Sequence, residues 1–214
     1  MSILVAIDGP SGAGKGFLSQ ALCKKYGFAF LDTGLLFRAT ALKSTLKSVA
    51  VDDENGLIEV VKSLEPSDFE PVNELRSEIN GQVASKIAVL PKVRAALVSY
   101  MREFAEKHLK QGAGAVLDGR DIGTIVYPQA DLKFFMTATP EERAKRRLKE
   151  LQSRGIPVIF EEVLQEMIQR DRRDRERQDS PLVAAEDAIL IDTSDMSPAD
   201  VVALAAKAID KALA

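Results

Sequence analysis

The stretch Ile3-Leu4-Val5-Ala6-Ile7-Asp8-Gly9-Pro10-Ser11-Gly12-Ala13-Gly14-Lys15-Gly16 decides how the rest of the chain is read. An unbroken apolar run enters a glycine-rich turn, and Phe17-Leu18-Ser19-Gln20-Ala21-Leu22 leaves it with helical character. Strand, turn and helix in that order predict a loop whose backbone amides converge on one anion. The positive end of the helix dipole adds to that field. Lys15 completes a G-x-x-x-x-G-K pattern and supplies a mobile charge for the β- and γ-phosphates of a nucleotide. Gly9, Pro10, Ser11, Gly12, Ala13, Gly14, Lys15, Gly16 and Phe17 are therefore the candidate nucleotide-binding residues. The pattern also asks for Ser or Thr after the lysine, where Gly16 and Phe17 stand, so the usual metal-facing hydroxyl is missing there.

The 214 residues, 46% hydrophobic and 29% charged, fit one globular α/β domain. A net charge of −3 argues against a general nucleic-acid coat. The sequence shows no export signal and no apolar run of membrane-spanning length, so a cytoplasmic location without membrane or nucleic-acid partners is expected. Cys23 is the sole cysteine, which excludes an internal disulfide, and His108 is the sole histidine, in a polar helical stretch. Histidine acid–base catalysis is not expected.

Further apolar runs at Phe28–Asp32, Ala115–Asp118, Leu132–Met136 and Ala188–Asp192 alternate with helical patterns. They predict a five-stranded parallel sheet flanked by helices, with ligands beyond the carboxyl ends of the strands. The core should comprise 1–35, 112–148 and 179–214. An insertion over about 36–111 reads as helices at 35–48, 55–64, 75–89 and 92–111, with a loop over 65–71. Thr139-Pro140-Glu141-Glu142 predicts an N-cap with a capping box. Gly155-Ile156-Pro157 ends that helix within a short lid, about 149–160, before a long helix from 160 to about 178.

Three groups of residues can carry chemistry. Five arginines fall in Arg170–Arg177, and Arg170, Asp174 and Arg177 share one face at i, i+4, i+7. Such a run is ordinarily a solvated surface, but guanidinium forks in this density suit ligands with several phosphates. Arg143, Arg146, Arg147 and Arg154 flank the lid, which can bring arginine to a transferring phosphoryl group. Some of the four must be plain surface charge, and Arg143 and Arg147, at i, i+4, are not both expected to be functional. Asp118-Gly119-Arg120-Asp121-Ile122-Gly123-Thr124 follows the third strand, where Asp118 can hold Mg²⁺ through water and Arg120 and Asp121 can reach a substrate. These residues point to phosphoryl transfer, governed by positioning and charge neutralisation. A phosphate acceptor needs no base, because its second pKa lies near 6.

The phosphate loop, Leu31-Asp32-Thr33-Gly34, Phe37-Arg38, Asp118–Thr124, Arg170–Arg175 and Pro181–Ala188 together resemble the bacterial cytidylate kinases over nearly the whole chain. The resemblance implies a P-loop kinase fold with an NMP-binding insertion and a short lid. It implies ATP-dependent phosphorylation of CMP and dCMP to CDP and dCDP with Mg²⁺, a place in pyrimidine nucleotide metabolism and a monomeric enzyme. Lys15, Arg154 and Arg177 then serve catalysis. Arg38, Arg94 and Arg177 hold the acceptor phosphate, Ser85 and Asp121 read cytosine with Arg94 nearby, and Arg170 and Asp174 hold the ribose, while Arg120 remains a further substrate-binding candidate. The chain departs from the family at Phe17, usually Thr or Ser, at Thr33, often Ser, and at Phe37, often Tyr. Its segment from Glu65 to Glu74 is short for the small antiparallel sheet of the bacterial insertion. Alternatives are a kinase of the same fold acting on UMP or AMP, or a nucleotide-binding switch, although no Asn-Lys-x-Asp motif is present.

Overall fold

The computed structural model describes residues 2–70 and 72–214. Five strands, β1 (Leu4–Asp8), β2 (Ala29–Asp32), β3 (Ala115–Gly119), β4 (Leu132–Thr137) and β5 (Ile189–Asp192), form one sheet in the order β2-β3-β1-β4-β5. β1 pairs in parallel with β3 and β4, and β4 with β5. Every residue of β1 and β3 is buried, as expected for strands covered on both faces. The register Asp8↔Gly119 brings the ends of β1 and β3 level, so the turns that follow them start side by side.

The chain divides into two compact units, one running up to Leu31 and from Lys107 to Ala214, the other Asp32–Glu106. In the first, α1 (Lys15–Tyr26) and α9 (Pro198–Leu213) enclose a core with Ile7, Leu18, Leu22, Phe134, Met136 and Ile209 almost completely buried. Each such side chain contributes about 1.5–3 kcal/mol through burial. In the same unit α7 (Pro140–Ser153) and α8 (Phe160–Glu176) form a hairpin with its own apolar contacts between Ala144, Leu151, Val163 and Met167. Gly155, at φ 72°, ends α7, since only glycine adopts this left-handed conformation without strain.

Two helix ends differ from the expected pattern. Thr139 does cap α7, accepting the Glu142 amide at 3.3 Å, but the capping box stays open. The Thr139 amide donates to Ser194 Oγ at 3.0 Å, and the Glu142 carboxylate is taken by Lys145. α8 ends at Glu176, and Arg177 turns to extended backbone, so Arg177 is not on the helical face shared by Arg170 and Asp174.

The second unit is helical: α2 (Thr33–Leu46), α3 (Glu54–Lys62), α4 (Val72–Leu75), α5 (Glu78–Ile87) and the first four turns of α6 (Pro91–Lys110). Asp32 caps α2 through the Leu35 amide, which starts that helix two residues earlier than its apolar spacing suggests. The continuous helix expected over 75–89 is broken at Arg76–Ser77. Ser77 adopts extended backbone and caps α5, and Arg38 consumes the carbonyls that continuation would need. Glu65–Glu74 carries a single 3-10 turn, Pro66–Phe69, and the four-residue α4. Among the described residues it holds no strand. Pro71, expected in a loop, lies outside the described residues.

Candidate active site

The loop between β1 and α1 owes its shape to glycine and to buried bracing. Gly9 has φ 145°, and a Cβ there would stand 2.1 Å from the Met136 carbonyl oxygen, so no other residue fits. Gly14, at φ 94°, precedes α1 without any side-chain cap. The first amides of α1 therefore keep their donors for an anion. Lys15 folds back over the loop, donating to the carbonyls of Gly9 (2.8 Å) and Pro10 (2.9 Å). Burial pushes its ammonium down to about 7, and Arg120 and Arg170 push the same way against Asp118 and Asp8. A phosphate dianion reverses that imbalance, which makes Lys15 a poised rather than a saturated cation.

Beside the loop, the turn after β3 gathers charge. Asp118, 5% exposed, accepts Ser19 Oγ at 3.2 Å. Arg120 donates to Asp174 of α8 at 2.8 Å and to its neighbour's carbonyl on Gly119 at 3.1 Å. Asp174 is buried against its charge, yet Arg120, Arg170 and Arg177 hold its carboxyl below the usual range. Asp121 is buried at the head of a π-helical turn, Ile122–Val126. The first unit thus brings Lys15, Asp118, Arg120, Asp121, Arg170, Asp174 and Arg177 into one electrostatic neighbourhood. Arg172, Arg173 and Arg175 are exposed, and for those three the solvated-surface reading stands.

Of the four arginines for which lid service or plain surface charge was expected, Arg143 and Arg146 do neither. Arg143 is only 2% exposed and makes a double-pronged pair with Asp171 of α8. Its remaining donors go to the Ala138 and Ser11 carbonyls. Arg146 holds the Thr193 carbonyl at 2.6 Å, and Thr193 Oγ1 in turn donates to the Ala13 carbonyl. These two arginines brace the phosphate loop and the α7–α8 hairpin. Arg147 pairs with Glu150, while Arg154 sits half-buried at the C-cap of α7.

Within the helical unit, Arg38 donates to the Leu75 (2.8 Å) and Ser77 (3.0 Å) carbonyls. Gly81 makes room for it, since a Cβ there would lie 2.7 Å from Arg38 Nη2. Arg94, 7% exposed, places its guanidinium 5.8 Å from the centre of the Phe37 ring. Ser85 is half-buried on α5.

Comparison with known proteins now bears on this geometry. The family described as Cytidylate kinase matches residues 5–211. A protein named cytidylate kinase from Paramagnetospirillum magneticum is 47% identical over 196 residues, covering 92% of each chain. Another of that name, from Caldanaerobacter subterraneus subsp. tengcongensis, is 42% identical and covers 99% of this chain and 96% of its own. The chain belongs to the cytidylate kinase family. A crystal structure of an uncharacterised protein from Eubacterium ventriosum shares the fold, with a TM-score of 0.54 at 16% identity and 99% coverage of both chains.

As a cytidylate kinase family member, the chain carries its departure at the phosphate loop in the open: Phe17 is 57% exposed on the first turn of α1. The nearby hydroxyl is that of Ser19, one turn on from Lys15 and fully buried against Asp118. Sequence reasoning missed Ser19, and it missed Asp8, whose carboxylate accepts the amides of Ile122 and Gly123. A charged residue ending an apolar strand was the available signal for Asp8. Ser19 had none beyond its i+4 spacing from Lys15. Among the described residues no group of three or more His, Cys, Asp or Glu is arranged to hold a metal ion. No helix among them is long and apolar enough to cross a membrane.

Proposed function

We propose that this chain transfers the γ-phosphoryl group of ATP to CMP and dCMP, giving ADP and CDP or dCDP. The observation that carries the reading is the array of buried Lys15 with half-buried Arg120, Arg170 and Asp174 next to the uncapped first turn of α1, in a chain of this family. An oxygen of the acceptor phosphate attacks the γ-phosphorus, and the bond from that phosphorus to the β–γ bridging oxygen breaks as ADP departs. The acceptor is already mostly dianionic at neutral pH, so no side chain has to remove a proton. Lys15 and the loop amides neutralise the donor, while Arg177 and Arg154 offset charge on the transferring group.

Arg38, Arg94 and Arg177 are assigned to the acceptor phosphate, and Ser85 and Asp121 to cytosine. Arg170 and Asp174 are assigned to the ribose, Arg120 orienting Asp174 at 2.8 Å. Mg²⁺ fits this donor set as an ion carried by the nucleotide phosphates and reached by Asp118 through water, since the buried Asp118 carboxylate faces Lys15 beside the phosphate loop and, among the described residues, no group of three or more ligands is arranged to hold the ion by itself. When bound it neutralises the donor phosphates. The test is a coupled ADP-release assay with ATP and Mg²⁺ against CMP, dCMP, UMP, AMP and GMP in parallel. Turnover confined to CMP and dCMP is expected. Faster turnover of UMP or AMP, or of none, overturns the assignment.

A further inference from the structure

Asp8 is a buried carboxylate that the phosphoryl-transfer steps above do not use. It is the last residue of β1, 4% exposed, and its main chain runs directly into Gly9. Its two oxygens point across the sheet edge: Oδ1 accepts the Ile122 amide at 2.9 Å and Oδ2 the Gly123 amide at 2.7 Å. Those are the leading amides of the π-helical turn Ile122–Val126, which have no carbonyl of their own segment to meet. Asp121 makes no side-chain cap there.

The arrangement is two-sided. The Gly9 carbonyl, one residue beyond Asp8, accepts Lys15 Nζ at 2.8 Å. Asp121, one residue before Ile122, enters the turn at φ −147° and ψ 23°. A Cβ on Gly123 would stand 3.1 Å from the Lys133 side chain and in ordinary contact, 3.4 Å, with Asp8 Oδ2, so Lys133 and Asp8 together line the inner side of the turn. Burial pushes the Asp8 carboxyl up to about 6, and Asp121 adds to this against the two amides and Lys15. The carboxylate is held at that electrostatic cost by the two amides it satisfies, which an apolar side chain would leave buried and unpaired.

We propose that Asp8 is a positioning residue that sets the turn carrying Arg120 and Asp121 in register with the phosphate loop carrying Lys15. One carboxylate then fixes the groups that read the acceptor relative to those that hold the donor. This rests on the assignment of Asp121 to the acceptor.

The test uses the full chain with Asp8→Asn, which keeps shape and one accepting oxygen but turns an N–H₂ toward the second amide. Asp121→Ala is measured in parallel, with KM for CMP and ATP, the thermal midpoint and amide exchange at Ile122 and Gly123. For Asp8→Asn, KM for CMP is expected to rise about tenfold while KM for ATP stays within about twofold, as loss of one charge-assisted hydrogen bond dictates. Exchange at the two amides should accelerate. Unchanged KM values, or equal rises in both together with a lower midpoint, overturn the proposal, the latter because it marks a merely structural residue. A raised KM for CMP in Asp121→Ala but not in Asp8→Asn removes the positioning role alone. A normal KM for CMP in Asp121→Ala overturns the acceptor assignment, and the proposal with it.

Discussion

The phosphate loop and the helical unit Asp32–Glu106 hold their basic residues by opposite means. Around the loop, the sheet and its flanking helices supply the bracing: the Met136 carbonyl under Gly9, Arg143 on Ser11, Thr193 on Ala13. Lys15 rests on the loop's own carbonyls and holds nothing else in place. In the helical unit the basic residues are themselves the bracing. Arg38 closes the break between α4 and α5, and Arg94 leans on Phe37. The donor loop is therefore finished before a ligand arrives. A phosphate reaching Arg38 must share a guanidinium already committed to two carbonyls, which its five donors permit.

This contrast can be broken by substitution, beginning where the effect is greatest. Lys15→Ala should lower kcat by about 10²–10³-fold, in the range for losing one preorganised electrostatic donor, with the thermal midpoint little changed. Near-normal turnover would remove Lys15 from the mechanism. Arg143→Ala should act in the opposite manner. It leaves Asp171 buried and unpaired, at a cost of about 3–5 kcal/mol, which for a chain of this size lowers the midpoint by roughly 10 °C. A loss of kcat with an unchanged midpoint would instead make Arg143 a mobile catalytic arginine.

The smallest effect is protonic. Lys15 titrates near 7 in the folded protein, below its ordinary value, so at higher pH it is largely neutral. Its contribution to folding grows as pH rises from about 7 toward 10, because across that window the unfolded chain binds the extra proton. Nucleotide phosphates favour the charged form, so binding must take up a proton above pH 7. Calorimetry of ADP binding at about pH 8.5 in two buffers of different ionisation heat should show that uptake, approaching one proton. Equal heats after buffer correction would show that Lys15 is already charged.

What the sequence discloses follows the same division. The sheet was readable because its strands are short apolar runs, wholly buried in β1 and β3 and partly buried in the others, and all five expected runs match strands within a residue or so at each end. The phosphate loop was readable because its glycines are demanded by backbone geometry. The break at Arg76–Ser77 was not, since it depends on a guanidinium whose carbonyl partners lie 37 and 39 residues further along the chain. Arg143 was misread for a related reason: its charge is cancelled by Asp171, 28 residues away, and helix spacing alone cannot reveal that. Asp8 and Ser19 escaped because their partners, Ile122, Gly123 and Asp118, meet them only through the parallel pairing of β1 with β3 and the packing of α1 on the sheet.

The most direct test of the contrast is a paired measurement of KM for ATP and for CMP in Arg38→Ala. If the donor loop is complete within its own unit and Arg38 serves the acceptor, KM for CMP rises about tenfold or more while KM for ATP stays within about twofold. A proportional rise in both constants, or an unchanged KM for CMP, would contradict it and leave Arg38 as a brace for α4 and α5 alone.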